Sequence, residues 1–249
     1  MQNTRSPAFM IIGAARCGTS SLHRNLLKHP DIEGPSMNRI KGNNKEIHYF
    51  DKKWARPFSW YLDCWEPEKA SSLLFESTPN YLYHERCPAA MKELLPDCKF
   101  IIMLRNPLDR AWSHFWHWKY TKKNNWPLSR LLDPNDVIIQ KGIYWKQLFR
   151  WHAQFPKKQF LIMKSEDYYA NERAVIKAVF KWLGVRPITL SRPEYYDPVY
   201  NARRPKKDAL EYGRMPKDIR ISLGNFYEQH NQKLYEYMEY DFGWKKEGE

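Results

Sequence analysis

The stretch Phe9-Met-Ile-Ile-Gly-Ala-Ala-Arg-Cys-Gly-Thr-Ser-Ser-Leu22 joins a short apolar run to a glycine-containing turn and then to a helix-like segment. Gly13 and Gly18 let the backbone turn tightly, so that the amides of the turn and of the first helical turn point at an anion. The hydroxyl groups of Thr19 and Ser20 add two further donors. The stretch therefore predicts a phosphate-binding loop between a strand and a helix.

The glycine spacing of this loop matches the nucleoside-triphosphatase pattern G-x4-G-K-S/T, but Thr19 occupies the position of the lysine. The basic residue of the loop is Arg16 instead. The missing lysine argues against a nucleotide kinase, which stays open as an alternative.

Four short apolar runs are predicted strands: Phe9–Ile12, Leu73–Phe75, Phe100–Leu104 and Phe160–Met163. Turn residues bound each run, which is typical of strands buried on both faces of a parallel sheet. Segments of helix length lie between and after them: Thr19–Lys28, Cys87–Leu95, Pro107–Tyr120, Gly142–Gln154, Asn171–Leu183 and Lys217–Met238. This alternation predicts an α/β, P-loop-like three-layer fold with a central parallel sheet flanked by helices, in a single domain over residues 1–249.

A second anion site is predicted after the third strand. Arg105 lies at the carboxyl end of that strand, where such sheets bind ligands, and Ser113 lies about two turns into the following helix. A guanidinium and a hydroxyl that enter one pocket can hold a second phosphate, while Arg110 is an alternative partner for a carboxylate. A donor with phosphates at both ends of a nucleoside would fit the two sites. No metal ion is expected, because protein donors replace it.

The composition excludes several classes of protein. Of the 249 residues, 43% are hydrophobic and 16% are aromatic, which is too apolar for a disordered chain. No apolar run approaches the roughly 20 residues of a membrane-spanning helix, and no signal-peptide pattern is present. The expected location is the cytoplasm, although a lumenal domain excised from its anchor would look the same. The cysteines match no zinc spacing and are predicted to be free thiols: Cys17, Cys64, Cys87 and Cys98.

The formal net charge of +13 favours phosphate, sulfate, nucleic acid or anionic lipid as a partner. With many aromatic residues, this charge leaves a basic nucleic-acid-binding module open as an alternative. A basic surface alone explains neither the glycine loop nor the pairing of Arg105 with Ser113. Nucleic acid is therefore not the expected partner.

Six short motifs occur in order along the chain: Gly13–Ser20, Lys45-Glu-Ile-His-Tyr-Phe-Asp51, Glu76-Ser-Thr-Pro-Asn-Tyr81, Arg105-Asn-Pro with Arg110 and Ser113, Gly142-Ile-Tyr144, and Tyr200-Asn-Ala-Arg-Arg-Pro205. Each motif alone is weak evidence. In this order, from about Phe9 to Trp244, the chain resembles the sulfotransferases that use 3′-phosphoadenosine-5′-phosphosulfate (PAPS), particularly the heparan-sulfate type and its bacterial relatives. The resemblance implies an enzyme of EC 2.8.2 type that releases adenosine 3′,5′-bisphosphate (PAP).

The resemblance also implies which residues bind PAPS. They are Arg16, Cys17, Gly18, Thr19 and Ser20 at the 5′-phosphosulfate, Arg105 and Ser113 at the 3′-phosphate, and Tyr144 with Arg203 or Arg204 closing over the donor. Arg16 is further expected to stabilise the charge on the leaving phosphate oxygen during in-line displacement.

Glu46 falls where such enzymes place the general base, which takes the proton of the acceptor hydroxyl as it attacks sulfur. A surface carboxylate paired with Lys45 is the alternative for Glu46. His48 lies two positions further, so that in an extended segment both side chains face the same side. His48 either orients the acceptor or shares the proton transfer.

Two positions depart from the resemblance. Many relatives carry lysine at the place of Arg16, and an arginine cannot give up a proton, so Arg16 is expected to supply charge only. Relatives that act on heparan sulfate often carry lysine at the place of Ser77, which weakens the expectation of the same acceptor. The acceptor is expected to be a hydroxyl compound. An anionic glycan is favoured by the charge, while a small metabolite or a lipid stays open, and the oligomeric state is not predicted.

Overall fold

The computed structural model describes residues 6–36, 45–66, 71–122, 125–190 and 213–244. The chain divides into two compact units. Unit 1 contains Met1–Leu104 with Arg150–Tyr195, and unit 2 contains Arg105–Phe149 with Tyr196–Glu249. The expectation of a single domain over the whole chain stays a prediction.

Unit 1 holds a five-stranded parallel sheet in the order β2-β3-β1-β4-β5. Its strands are β1 (Phe9–Gly13), β2 (Ile32–Glu33), β3 (Leu73–Ser77), β4 (Lys99–Leu104) and β5 (Phe160–Lys164). All four runs predicted from the sequence form strands. The predicted α/β fold with a parallel sheet flanked by helices is confirmed.

β1 lies at the centre of the sheet. Phe9 is in register with Phe75 of β3 on one side and with Lys99 of β4 on the other. Every residue of β1 is buried, as expected of a strand covered on both faces. β2 and β3 lie on one side of β1, and β4 and β5 lie on the other. The strand order therefore reverses direction at β1, and the carboxyl end of β1 is a topological switch point. Ligands of open parallel sheets bind at such points.

Two strands differ from the sequence-based expectation. β5 is an edge strand that pairs only with β4, and residues 161–164 are half-buried. The sequence had indicated that this apolar run is a central strand covered on both faces. β5 is instead a half-buried strand at the edge of the sheet. β2 was not predicted, because two residues are too few to show a period.

The described helices are α1 (Thr19–Leu26), α2 (Tyr49–Lys52), α3 (Phe58–Leu62), α4 (Cys87–Leu94), α5 (Pro107–Lys122), α6 (Val137–Gln140), α7 (Tyr144–His152), α8 (Ser165–Ala170), α9 (Glu172–Leu183) and α10 (Lys217–Met238). Two 3-10 helices span Leu128–Leu132 and Lys157–Gln159. The six predicted helices are confirmed as α1, α4, α5, α7, α9 and α10, whereas the short α2, α3, α6 and α8 were not predicted. All four cysteines are buried free thiols, as predicted. Within the described ranges, no helix is long and apolar enough to cross a bilayer.

Unit 2 has its own apolar core. Its buried members include Leu108, Ala111, Phe115, Ile139, Ile219, Leu223 and Tyr227, and Trp112, Trp118 and Trp126 pack against it half-buried. Arg110, for which the sequence suggested a carboxylate partner, is fully buried. Its guanidinium instead donates to the Ile138 carbonyl and contacts a ring nitrogen of His114. These contacts make Arg110 part of the packing of unit 2.

Candidate functional site

The predicted phosphate loop lies between β1, which ends at Gly13, and α1, which begins at Thr19. Gly18 has a φ of +88°, in the left-handed region that glycine adopts without strain. A Cβ at Gly18 would come within 2.6 Å of Tyr169 Oη, so the close approach also requires glycine. The first turn of α1 contains no acidic residue. The positive end of the helix dipole is therefore available to an anion.

The side chains of the loop differ in their exposure. Ser20 is exposed, Arg16 is half-buried and Thr19 is buried. The Cys17 side chain is fully buried, and its amide donates to the Ala14 carbonyl at 3.3 Å. The predicted donor contacts of these residues stay predictions, but Cys17 shapes the loop with its thiol packed inward.

α8 and α9 hold the loop and α1 in place. Ser165 Oγ donates to the Cys17 carbonyl at 2.8 Å. Glu172 Oε1 accepts bonds from three side chains, at 2.7 Å from Asn25 Nδ2, 3.1 Å from Ser21 Oγ and 2.7 Å from Tyr168 Oη. These buried hydrogen bonds join α1 to α8 and α9. Sequence reasoning missed them because Asn25 and Glu172 are 147 residues apart.

Glu46 and His48, the predicted proton-transfer residues, are in direct contact. Glu46 Oε2 lies 3.1 Å from His48 Nε2, and His48 Nδ1 lies 3.0 Å from Asp51 Oδ2. Asn80 Nδ2 donates to the same oxygen of Asp51 at 2.7 Å. His48 has a φ of +59° and precedes α2, so the backbone at His48 is not extended, although its side chain and that of Glu46 meet. His48 thus lies between two carboxylates.

This arrangement shifts the pKa values of His48 and Glu46 in opposite directions. Burial favours the neutral ring of His48, but its hydrogen bonds with Asp51 and Glu46 outweigh burial and raise the pKa of His48 to about 9. Burial also opposes the charged form of Glu46. The hydrogen bond from His48 and the charge of Lys45 outweigh it and lower the pKa of Glu46 to about 2. At neutral pH the pair is a carboxylate and an imidazolium.

Lys45 connects this pair to the phosphate loop. Its ammonium donates to Ser20 Oγ at 2.9 Å and lies 3.2 Å from Glu46 Oε1. Burial lowers the pKa of Lys45, and Glu46 partly offsets that effect. The sequence indicated Lys45 only as a partner of Glu46. Its contact with Ser20 at the start of α1 joins residues that are 25 positions apart. The sequence carries no local signal for such a contact.

A buried carboxylate near the end of β3 is a further feature that sequence reasoning missed. Glu76 Oε1 accepts from Tyr61 Oη at 2.7 Å, and Glu76 Oε2 accepts from Thr78 Oγ1 at 2.6 Å and from the Ile47 amide at 3.4 Å. Burial raises the pKa of Glu76 to about 7, although these hydrogen bonds oppose the rise. The available signal in the sequence was a glutamate directly after the apolar run of β3.

The end of β3 anchors alternate residues of the segment Lys45–Tyr49. The Lys45 carbonyl accepts from the Ser77 amide at 3.0 Å, and the Ile47 amide donates to Glu76. The Tyr49 amide donates to Tyr81 Oη at 2.9 Å, and the same hydroxyl donates to Glu76 Oε1 at 3.2 Å. The backbone on either side of Glu46 and of His48 is thereby held.

Ser77 itself is fully buried. Its Oγ lies 2.8 Å from His23 Nδ1. Burial and the nearby charge of Lys45 lower the pKa of His23 to about 3, so this ring is neutral. The position of Ser77, one of the two that depart from the resemblance, is therefore an uncharged, buried hydroxyl.

In unit 2, Tyr144 Oη donates to the Arg105 carbonyl at 2.9 Å, and Tyr144 is almost fully buried. Ser113 is buried in α5. The structure thus brings Tyr144 to the backbone of Arg105, while Arg203 and Arg204 lie outside the described residues. The roles of these residues at the donor stay predictions. Across the part of the chain that is described, no three His, Cys, Asp or Glu side chains are placed to hold a metal ion.

Known proteins match this chain along most of its length. The family described as "Sulfotransferase domain" matches residues 6–204. Heparan sulfate glucosamine 3-O-sulfotransferase 3B1 of Homo sapiens is 26% identical over 96% of this chain and 65% of its own length. The bifunctional heparan sulfate N-deacetylase/N-sulfotransferase 4 of Mus musculus is 26% identical over 92% of this chain and 29% of its own length. The chain therefore spans less than two thirds of each of these relatives.

Solved sulfotransferase structures share the fold. A sulfotransferase from Alicyclobacillus acidocaldarius matches with a TM-score of 0.76 at 23% identity, over 96% of this chain and 99% of that chain. The sulfotransferase domain from the curacin biosynthetic pathway matches with a TM-score of 0.55 at 14% identity, over 90% and 98%. Because the family match covers well over half of the sequence, the chain belongs to the sulfotransferase domain family.

Proposed function

We propose that this chain transfers the sulfuryl group of PAPS to a hydroxyl group of a carbohydrate, with Glu46 as the general base. Family membership supports the donor and the reaction class, and the names of the relatives support a carbohydrate acceptor. One observation carries the assignment within this chain. Lys45 contacts both Ser20 and Glu46, so the carboxylate is one side chain away from the anion-binding loop.

The proposed reaction is an in-line displacement at sulfur. The acceptor oxygen bonds to sulfur while the bond from sulfur to the 5′-phosphate oxygen breaks, and the electron pair of that bond stays on the phosphate of PAP. Glu46 accepts the proton of the acceptor hydroxyl. Arg16, the loop amides and the start of α1 stabilise the charge that develops on the leaving oxygen.

His48 is proposed as an orienting residue rather than as the base. A pKa of about 9 keeps the ring protonated at neutral pH, and an imidazolium has no lone pair for a proton. Asn80 bonds Asp51, Asp51 holds the ring, and the ring contacts Glu46. Glu46 is therefore the group of this pair that can accept a proton.

The 3′-phosphate is assigned to Arg105 and Ser113, with Tyr144 and Arg203 or Arg204 near the donor, on the strength of the resemblance. Arg105→Ala should then weaken binding of PAP far more than binding of adenosine 5′-phosphate, which lacks the 3′-phosphate. Equal losses would move the 3′-phosphate site elsewhere.

The position of Ser77 bears on the acceptor, because relatives that act on heparan sulfate often carry lysine there. Ser77 is buried and bonded to a neutral His23, so it offers no cation to a sulfate or carboxylate group of the acceptor. We therefore assign to this chain a sugar hydroxyl acceptor that needs no anionic group at this position.

Transfer of radiolabelled sulfate from PAPS to a panel of acceptors tests the proposal. The panel holds sulfated and unsulfated glycans, phenols and small alcohols, and PAP binding in the presence of a chelator serves as the control for an intact donor site. We expect label on glycans, including unsulfated ones. Label on phenols or alcohols alone would overturn the carbohydrate assignment, and absence of transfer to every acceptor would overturn the proposed activity.

A further inference from the structure

The phosphate loop contains one cationic side chain, Arg16. Thr19 occupies the lysine position of the related nucleotide loops, and its side chain is buried. A second cation reaches the loop from outside it, because Lys45 Nζ lies 2.9 Å from the exposed Ser20 in the first turn of α1. The anion-binding end of α1 therefore receives its ammonium group from another segment of the chain.

The contacts of Lys45 leave room for an anion. An ammonium group has three N–H donors. Among the described residues, Ser20 and Glu46 accept from Lys45, which leaves one donor for a ligand. Lys45 also feels the repulsive charges of Arg16 and Arg24. A bound anion would offset this repulsion.

We propose that Lys45 is a donor-binding residue whose ammonium bonds the phosphosulfate of PAPS and so supplies the cation that Thr19 does not. This inference rests on the proposed function, because it adds a residue to the same site. It has a chemical consequence for Glu46. An ammonium drawn toward the phosphosulfate no longer pairs fully with Glu46, so the pKa of that carboxyl rises and it becomes a better base once the donor is bound.

The competing role for Lys45 is that of a counter-ion which only positions Glu46. The two roles differ in an E46Q background. A counter-ion has nothing to act on once Glu46 is neutral, whereas a donor-binding ammonium still contacts the phosphate. The E46Q background also keeps the test clear of misfolding, because Lys45→Met then leaves no unpaired, half-buried carboxylate.

Calorimetric titration with PAP decides between the roles, since PAP carries the 5′-phosphate and needs no acceptor. Lys45→Met should weaken PAP binding roughly 10–100-fold in both the wild-type and the E46Q backgrounds, as loss of a hydrogen bond between charged groups does. Lys99→Met is the matched control, because Lys99 is also half-buried and donates to a carbonyl, that of Trp182, at 3.1 Å. We expect Lys99→Met to leave the affinity for PAP unchanged.

The outcomes separate this inference from the proposed function. The double variant Lys45→Met with Glu46→Gln is compared with Glu46→Gln alone. If the two bind PAP equally well, the role of Lys45 is overturned and the proposed activity still stands. A wild-type chain that binds PAP and transfers no sulfate would overturn the activity and leave Lys45 as a nucleotide-binding residue. A wild-type chain that does not bind PAP would overturn both.

Discussion

Glu46, His48 and Asp51 form a row of charges that alternate in sign, which we call the charge row. Each group stabilises the ionised form of its neighbour, as the raised pKa of His48 and the lowered pKa of Glu46 demonstrate. A carboxyl group with a pKa of about 2 is well oriented but weakly basic. The proposed proton transfer at Glu46 therefore requires a change in its surroundings when the donor binds, and the proposed role of Lys45 supplies that change.

The charge row should make stability depend on pH through His48. The pKa of His48 is raised from 6.5 to about 9 in the fold, so its stabilisation is fully present below pH 6.5 and is lost as the pH rises through 9. Thermal melting of the wild type and of His48→Asn measures this. The melting-temperature difference between them should be largest near pH 6 and should shrink by about pH 10. A difference that stays constant over that range would contradict the charge row.

The loop contains a second residue-scale constraint, at Gly18. Gly18 and Gly184 have nearly equal positive φ angles, +88° and +84°, but only a Cβ at Gly18 would meet another atom, Tyr169 Oη at 2.6 Å. Gly184→Ala should cost about 1–2 kcal/mol of unfolding free energy for backbone conformation alone. Gly18→Ala should cost about 1–3 kcal/mol more because of overpacking, and PAP binding should weaken. Urea denaturation measures both, and equal costs would disprove the close approach.

At the scale of elements, the end of β3 places the segment Lys45–Tyr49. The buried carboxylate of Glu76 accepts the amide of Ile47 and orients Tyr81, whose hydroxyl in turn accepts the amide of Tyr49. α8 has the corresponding role at the loop, where Ser165 bonds the Cys17 carbonyl. The site is therefore built by two elements that supply no proposed catalytic group.

Two tyrosines give a matched test of this anchoring. The hydroxyls of Tyr61 and Tyr81 both donate to Glu76, but only that of Tyr81 also accepts from the segment, at the Tyr49 amide. Tyr61→Phe should cost stability and leave kcat nearly unchanged. Tyr81→Phe leaves a buried amide without its acceptor and should lower kcat roughly 10-fold, because the segment shifts.

Steady-state kinetics at saturating PAPS and acceptor provide the readout, and Tyr61→Phe, which leaves the segment in place, should also leave the affinity for PAP unchanged. If Tyr61→Phe lowers kcat as much as Tyr81→Phe does, then Glu76 acts through overall packing and not through the segment.

The five strands differ in how well the sequence alone predicts them. Strands β1, β3 and β4 were predictable because each is an apolar run long enough to need cover on both faces. β2 was not, because a two-residue edge strand is defined by its pairing with β3 and not by a period of its own. β5 was predicted as a strand but misplaced, since an apolar run does not reveal on how many sides it is paired.

The site was predictable where function depends on local spacing and hidden where it depends on tertiary contacts. The loop from Gly13 to Ser20 and the pair Glu46 and His48 stand out as motifs. The anchoring by Glu76 joins residues 29 positions apart, and the contact of Lys45 with Ser20 joins residues 25 positions apart. Residue spacing carries no signal for such pairings, which the packing of the sheet creates.

At the scale of the whole molecule, unit 1 holds both the predicted phosphate loop and the proposed base. Their contact through Lys45 lies entirely within this unit. The formal net charge of +13 suits a chain whose proposed donor carries several negative charges. The central claim for the whole chain is that Glu46 removes the proton of the acceptor while PAPS supplies the sulfuryl group.

Turnover of Glu46→Gln tests this claim most directly, because glutamine keeps the shape of the side chain and cannot accept the proton. The variant should melt close to the wild-type temperature and bind PAP at least as tightly as the wild type. Its kcat for transfer of labelled sulfate should fall roughly 10²–10⁴-fold, the usual contribution of a positioned base, whereas His48→Asn should lose less. Near-normal turnover of Glu46→Gln at saturating donor and acceptor, with His48→Asn inactive, would contradict the account and make His48 the base.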